Sequence, residues 1–237
     1  MLSIGVTGCM SKASSQEAIL AYLEEKYDEK FEVEAFKEGS EAFKQMYGAD
    51  KVIVHPEGKP EHVFLAGEDR DHEGEYYDNY VLSIWQDELT KHYKEEISKI
   101  LAGIDYRYRV LLYTQDGYDS SFKEMSVFNY LENGHNDSSL IINVAILTSK
   151  APSLNEYSEQ ILQLNKLANT ANTKPAGVSI GFVDQEVDVT DYIRTSAVNN
   201  VQWSNMIGKV YGQITIDNRL NITNSNQLSE YFETFEE

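Results

Sequence analysis

Cysteine, proline and positive charge are scarce in this chain. Its 237 residues include one cysteine, four prolines and 20 lysines and arginines, against 39 aspartates and glutamates. A single thiol cannot form a disulfide or a thiolate metal cluster within the monomer. The net charge of −19 argues against a nucleic-acid partner, because nucleic-acid binding depends on neutralising phosphates. It equally disfavours peripheral binding to anionic lipid.

Long apolar runs and the common catalytic motifs are missing as well. No stretch approaches the roughly 18 consecutive apolar residues of a transmembrane helix. The sequence contains no Gly-x-Ser-x-Gly elbow, phosphate loop, dinucleotide-binding glycine pattern or His-Glu-x-x-His frame. This leaves catalysis open but favours a non-catalytic protein. What is present, 41% hydrophobic residues with 16 tyrosines and nine phenylalanines, is enough to build a core.

A composition shift divides the chain near Gly103. Asn79 is the only asparagine before that glycine, and all the others follow it. Two modules, residues 16–103 and 104–237, explain the shift most simply. Residues 1–15 are then a leader and a short tether. The predicted fold class is α+β.

The first module reads as a helix, an antiparallel meander and a second helix. The first helix begins at the capping box of Ser14 and Glu17. Residues 31–35, 51–55 and 62–67 are predicted strands, the last two forming a hairpin. A long helix over residues 79–101 follows, ending at Gly103. Its apolar side chains recur about every four residues: Val81, Trp85, Leu89, Tyr93, Ile97 and Leu101.

The second module alternates predicted strands and helices. Strands are expected at residues 106–114, 140–148, 178–183 and 207–216. Helices are expected over residues 121–130, from the capping box that Ser153 opens, and as a short closing helix near residues 228–235. This order resembles a split βαβ, ferredoxin-like sandwich.

The first nine residues resemble the processing site of bacterial lipoproteins. Val6, Thr7 and Gly8 precede Cys9, the only cysteine, as an aliphatic residue and small residues precede the lipidated cysteine in that family. The resemblance implies a signal peptide, palmitate-type acylation of Cys9 and anchoring to the cell membrane from the extracytoplasmic side. Because a signal peptide needs a basic start and an apolar stretch of roughly 7–15 residues, we expect the true start to lie upstream. The alternative is a short apolar strand with a buried cysteine.

A second resemblance covers about a third of the chain. Residues 22–33 and the run Asp78, Asn79 and Tyr80 are similar to modules of uncharacterised lipoproteins and secreted proteins of Gram-positive bacteria. The resemblance implies no activity.

An acidic loop before the long helix is a candidate calcium site. Its carboxylates are Asp69, Asp71, Glu73, Glu75 and Asp78. Oxygens at alternate positions followed by glycine match the start of an EF-hand loop, but Tyr80 stands where the bidentate acid belongs. The alternative is a solvated acidic turn that complements the helix dipole.

Two arginines form a second candidate site. Arg107 and Arg109 are two residues apart on a predicted strand, so their side chains share a face. They could form a fork for a carboxylate or phosphate ligand, or they pair with neighbouring acids across strands.

Three functions follow as expectations. The first is a non-catalytic, lipid-anchored protein of the cell envelope that binds an envelope protein or peptide. The second is a calcium-dependent binding module using the loop at residues 69–78. The third is an envelope-polymer hydrolase with two carboxylates roughly 5–9.5 Å apart.

Overall fold

A computed structural model describes residues 15–39, 49–69, 71–72, 74–115, 117–134, 137–171, 173–199, 201–222 and 224–235. The helices of these residues are α1 (Ser15–Tyr27), α2 (Tyr80–His92), α3 (Lys94–Ile100), α4 (Val127–Glu132), α5 (Leu154–Ala168) and α6 (Thr190–Arg194). The strands are β1 (Phe31–Lys37), β2 (Lys51–Pro56), β3 (Phe64–Glu68), β4 (Tyr76–Asp78), β5 (Asp105–Thr114), β6 (Ser138–Thr148), β7 (Ala176–Asp184), β8 (Val210–Asp217) and β9 (Phe232–Thr234). Within the described ranges, no helix is long and apolar enough to cross a membrane.

The chain divides into two units. The first consists of Met1–Gly58 and Leu65–Asp78, and the second of Lys59–Phe64 and Asn79–Glu237. The α+β class is confirmed, since the described residues form one four-stranded and one five-stranded sheet together with the helices.

In the first unit, α1 packs against β1 and β2. The sheet has the order β1-β2-β3-β4, with β1 antiparallel to β2 and β3 antiparallel to β4. Ile19, Leu23 and Tyr27 of the predicted helix stripe are buried, as are Val52 and Val54 of β2. The predicted helix and meander are therefore present.

The second unit has a sheet of order β5-β6-β7-β8-β9. Only β6 and β7 run parallel, and α5 connects them. These two strands pair directly with each other, which differs from the split arrangement expected from the sequence, where another strand would separate them. The reason is that β5 and β8 add at the outer sides of the pair as antiparallel neighbours.

One face of this second sheet is apolar and covered by helices. α2 packs on β5 and α5 on β7. The side chains that alternate toward this face are fully buried: Val110, Leu112, Leu140, Ile142, Val144, Ile146, Val178, Ile180, Phe182, Ile214 and Ile216. The opposite face is mixed in character, and it carries the candidate site described below.

The helices α2 and α3 belong with the second sheet, not with the first module as the sequence boundary at residue 103 placed them. All six side chains of the predicted stripe, from Val81 to Leu101, are buried. Trp85 packs on Tyr130, with ring centroids 4.2 Å apart, and Gln86 Nε2 donates to the carbonyl of Leu112 at 3.0 Å. The composition shift misplaced the boundary because packing partners are set by the fold and not by composition.

Three further details differ from the sequence expectations. The single long helix predicted over residues 79–101 is interrupted at Tyr93, which ends α2 and precedes α3. The predicted helix over residues 121–130 is a 3₁₀ turn, Ser120–Phe122, followed by α4. The closing segment forms the 3₁₀ helix Ser225–Glu230 and then β9, which pairs with β8. The spacing of its apolar residues is compatible with a helix or a strand. Its last residues form a strand because they pair with the open edge of β8.

Candidate ligand groove on the open face of the second sheet

A row of polar side chains crosses the mixed face of the second sheet. Strand register pairs Arg109 with Asn143, Asn143 with Ser179, and Ser179 with Thr215. Because side chains alternate across a strand, these four residues lie on one face. The neighbouring row on β8 and β9 pairs Gln213 with Glu233.

Asn143 stands out in this row. Only 7% of the residue is exposed, and its side chain has no hydrogen bond to any residue that the structure describes. Its amide is not a fully buried group without a partner, because the residue lines a groove that is open to water. An amide that lines a groove and makes no hydrogen bond to the described residues is a group available to a ligand.

The wall on one side of the row is aromatic. Trp203 is 4% exposed and lies so close over Gly181 that a Cβ there would come 2.2 Å from the indole ring. Its Nε1 donates to Ser179 Oγ at 3.0 Å. Tyr192 packs beside the indole, with ring centroids 4.9 Å apart. The glycine is required because the indole sits directly on the strand.

The groove so formed has a volume of about 550 Å³, within the roughly 300–1,000 Å³ typical of small-ligand clefts. Tyr113 and Val201 line it and are 42% and 38% exposed, respectively. Leu111 and Ile141 lie on its β5 and β6 side. The surface therefore combines hydrogen-bonding groups with apolar patches that water can reach.

The groove is nearly neutral in a strongly acidic protein. Its described lining is made of amide, hydroxyl, apolar and aromatic side chains with the carboxylate of Glu233, which accepts a 2.7 Å hydrogen bond from Gln213 Nε2. Burial raises the pKa of Tyr192 to about 12, and its hydroxyl donates to the carbonyl of Val201 at 2.7 Å. Tyr192 therefore keeps its proton near neutral pH, which suits recognition better than proton transfer.

Arg109, a predicted ligand residue, donates hydrogen bonds to backbone carbonyls of the protein. It is 6% exposed. Its Nη1 donates to the carbonyls of Arg194 at 2.9 Å and Glu61 at 3.1 Å, and its Nη2 donates to that of Glu61 at 3.1 Å. Burial lowers the pKa of Arg109 to about 10, so it remains charged at neutral pH. The side chain thus ties the 3₁₀ helix Pro60–His62 and the end of α6 to β5.

Arg107 shares the face of β5 with Arg109, but it binds different groups. Its exposed Nη1 donates to Asp105 Oδ1 at 3.0 Å and to the carbonyl of Tyr106 at 2.7 Å. The two guanidinium groups do not bind one common acceptor within the described residues. A ligand fork made by this pair stays a prediction.

The acidic loop of the first unit is organised by its own hydrogen bonds. Asp69 Oδ1 accepts from the backbone amides of Asp71 at 2.7 Å and His72 at 2.9 Å. Those backbone hydrogen bonds, first among them the one from Asp71, lower the pKa of Asp69. Glu73 lies outside the described residues, and no three acids among Asp69, Asp71, Glu75 and Asp78 form a metal-ligand cluster in the part described.

Asp78, the last of the predicted calcium ligands, is an anchor for α1. Its side chain is 1% exposed. Tyr22, Lys26 and Tyr27 donate to its two oxygens at 3.0, 2.7 and 2.7 Å, respectively. These donors occupy both oxygens, so a calcium ion would have to displace them.

A different cluster in the second unit brings possible metal ligands together. Ligand atoms of Glu61, His62 and Asp87 lie within 4.8 Å of one another. Asp87 Oδ2 already receives His62 Nε2 at 3.1 Å and the ammonium of Lys91 at 2.7 Å. The lysine supplies the positive charge that a cation would otherwise bring.

Cys9, the predicted lipidation site, lies outside the described residues. The groove residues were not singled out by the sequence patterns. One signal was there, because Asn143 is the only polar residue within the run from Leu140 to Leu147. A lone amide in an otherwise apolar strand is a sequence signal for a polar site on one face of the sheet.

No protein-family model and no curated protein matches this sequence. Among solved structures, the chain is similar to a DUF5037 family protein from Ruminococcus gnavus ATCC 29149, with a TM-score of 0.45 and 14% sequence identity. The similarity covers 85% of this chain and 89% of that chain.

Proposed function

We propose that this protein is a lipid-anchored, extracytoplasmic binding protein of the cell envelope, with its ligand site in the groove of the second sheet. The amide of Asn143, which lines the groove and makes no hydrogen bond to the described residues, carries the binding part of the proposal. The sequence from Val6 to Cys9, which resembles a lipoprotein processing site, supports the anchor. The calcium-dependent module and the hydrolase stay alternative predictions.

The chemistry of the groove supports binding. Asn143, Ser179 and Thr215 offer neutral donors and acceptors in one row. Ser179 Oγ accepts from Trp203 Nε1 at 3.0 Å and from Thr215 Oγ1 at 3.4 Å, so its own proton can be donated to a ligand. A few fixed polar groups among aromatic and apolar side chains are the usual composition of a ligand site.

An anchor also agrees with the charge of the protein. A body of net charge −19 is repelled by anionic lipid, but the repulsion is screened beyond about 8 Å at physiological salt. Two acyl chains hold a protein on a bilayer despite such repulsion. The anchor would therefore keep an anionic binding body close to an anionic surface.

The anchor is tested by mass spectrometry of the full-length protein expressed with its native leader in a Gram-positive host. We expect a diacylated Cys9 at the mature N-terminus and recovery in the membrane fraction. The Cys9→Ser variant should lose both. An unmodified Cys9 in a protein recovered from the cytosol would contradict the anchor.

The groove is tested by retention of envelope material on immobilised protein. We expect a component to be retained by the wild-type protein and by the exposed control Asn155→Ala, and to be lost with the double variant Asn143→Ala and Thr215→Val. Equal retention by all three proteins, or retention by none, would contradict a binding role for the groove.

A further inference from the structure

The groove also indicates the chemical class of its ligand, an inference that rests on the proposed function. The amide of Asn143 offers one acceptor, Oδ1, and two donors on Nδ2. A ligand amide can satisfy both kinds of group at once, giving its carbonyl to Nδ2 and its N–H to Oδ1. Because the Asn143 amide lines the groove and makes no hydrogen bond to the described residues, it favours a ligand that carries an amide.

The surroundings of Asn143 add a second requirement. Ile141 precedes it by two residues on the same face of β6, and register pairs Ile141 with Leu111. Both side chains line the groove. A small apolar group next to the ligand amide would therefore find an apolar contact. An amide with an attached methyl group is an acetamido group.

A peptide amide fits this surface less well. The backbone groups of β6, β7 and β8 are used in the sheet ladder, so an extended peptide would meet only side chains at the centre of the sheet. Peptides that bind sheets do so mainly by adding at a free edge, where backbone groups are open. Side-chain amides and hydroxyls in a row suit the scattered hydroxyls of a sugar.

Two further features match a sugar. Tyr113 exposes 42% of its surface at the groove, and an aromatic ring offers a flat apolar surface for the C–H face of a pyranose. The described lining carries no lysine or arginine, and its carboxylate, Glu233, accepts from Gln213. In a protein of net charge −19, such a lining disfavours an anionic ligand.

We propose that the groove binds a neutral oligosaccharide containing N-acetylated amino sugars, with the acetamido group paired to Asn143 and its methyl group against Ile141 and Leu111. Ser179 and Thr215 bind ring hydroxyls, and Tyr113 packs on a neighbouring ring.

The test is isothermal titration calorimetry of the full chain with three probes of similar length. These are the β-1,4-linked trimer of N-acetylglucosamine, the β-1,4-linked trimer of glucose, and acetyl-trialanine amide. The two sugars differ in the acetamido group, and the peptide has amides without a sugar ring. We expect the acetylated trimer to bind at least about tenfold more tightly than either of the others.

Single substitutions test the contacts of Asn143 and Tyr113 separately. Asn143→Ala should weaken binding of the acetylated trimer about tenfold while leaving binding of the glucose trimer unchanged. Tyr113→Ala, at a position that is 42% exposed, should weaken binding of both sugars, and urea unfolding of the variant checks that it is folded. Asn155→Ala is the matched control and should change neither.

Equal binding of both sugar trimers would contradict the role of Asn143, and preference for the peptide would contradict the sugar class. If the acetylated trimer does not bind although envelope material is retained in a groove-dependent manner, this inference fails and the proposed binding function stands. If neither is bound, both fail.

Discussion

At the scale of single residues, Asn143 and Asn199 carry the same side chain in different settings. One has no hydrogen bond to the described residues, and the other is bonded within the fold. Asn199 is fully bonded, since its Nδ2 donates to the carbonyl of Tyr192 at 3.0 Å and to Thr195 Oγ1 at 3.1 Å, and its Oδ1 accepts from the amide of Val201 at 3.0 Å. It shapes the loop beside the groove. Asn143 makes no such bonds within the described residues, although it is more deeply buried.

The two asparagines should therefore respond to substitution with opposite signs. Asn143→Val replaces an amide that has no partner among the described residues with a β-branched side chain that favours a strand, and should raise the free energy of unfolding by about 1 kcal/mol. Asn199→Ala removes three hydrogen bonds and should lower it by about 1–3 kcal/mol. Urea unfolding of both variants measures the difference. Destabilisation by Asn143→Val would show that the amide is satisfied in the fold and would weaken its assignment to a ligand.

Asp217 provides a pH-dependent prediction at the same scale. Its carboxylate accepts from Arg219 Nε at 3.0 Å and Nη2 at 2.6 Å, and from the amide of Arg219 at 2.9 Å. The side-chain hydrogen bond from Arg219 lowers the pKa of Asp217. A lowered pKa in the folded state contributes stability above the pKa of the unfolded chain, about 3.9, and the contribution is lost as the pH falls through the folded value.

Asp217→Asn should consequently lower the free energy of unfolding by about 1–2 kcal/mol at pH 7 and by much less near pH 3. Urea unfolding at the two pH values measures this. Asp105→Asn, which removes a carboxylate whose side chain is 63% exposed, is the control and should change little at either pH. A destabilisation of Asp217→Asn that does not depend on pH would contradict the ionic contribution.

At the scale of elements, α2 seals the outer edge of β5. Thr90 Oγ1 accepts from the backbone amide of Val110 at 2.9 Å, and Gln86 Nε2 donates to the carbonyl of Leu112 at 3.0 Å. An open strand edge is a template for association with another chain. Here two helix side chains take the place of the missing strand.

Thr90→Val keeps the shape of the side chain and leaves the amide of Val110 without its acceptor. It should lower the free energy of unfolding by about 1–3 kcal/mol. Thr234→Val, at an exposed position of β9, is the matched control and should change it by less than about 0.5 kcal/mol. Thermal unfolding of the variants compares them. Equal stability of both would mean that water replaces Thr90 at the edge.

Helices and strands were the features that the sequence predicted best. The stripe from Val81 to Leu101 predicted a buried helical face, because four-residue spacing is a local property of the chain. The strand of residues 140–148 was predicted for its run of apolar residues. The closing helix predicted near residues 228–235 is only partly present, because residues 225–230 form a 3₁₀ helix and the last residues form β9. A short apolar pattern fits a helix or a strand, and pairing with β8 decides between them.

At the scale of the whole molecule, charge is the dominant feature. Like charges in a folded chain repel one another, and a net charge of −19 makes this repulsion a general cost. Mobile ions shorten the range of the repulsion. Salt should therefore stabilise the folded protein.

We expect the midpoint of each thermal unfolding transition to rise by about 2–4 °C between low salt and 0.3 M sodium chloride at pH 7, for a gain of about 1 kcal/mol. The increase should become small near the isoelectric point of about 4.6, where there is little net charge to screen. Differential scanning calorimetry under the four conditions measures it. An equal increase at both pH values would indicate a salt effect unrelated to charge repulsion.

The sequence by itself determined the local features: the acidic character, the α+β class, and most helices and strands. These depend on composition and on periodicity over a few turns or strand residues. Only the tertiary structure decided that α2 and α3 join the second sheet, that Arg109 is engaged by backbone carbonyls, and that Asn143, Ser179 and Thr215 lie in one row. The physical reason is that strand register and packing join residues far apart in the chain, and the sequence pattern of one strand does not state which strand lies beside it.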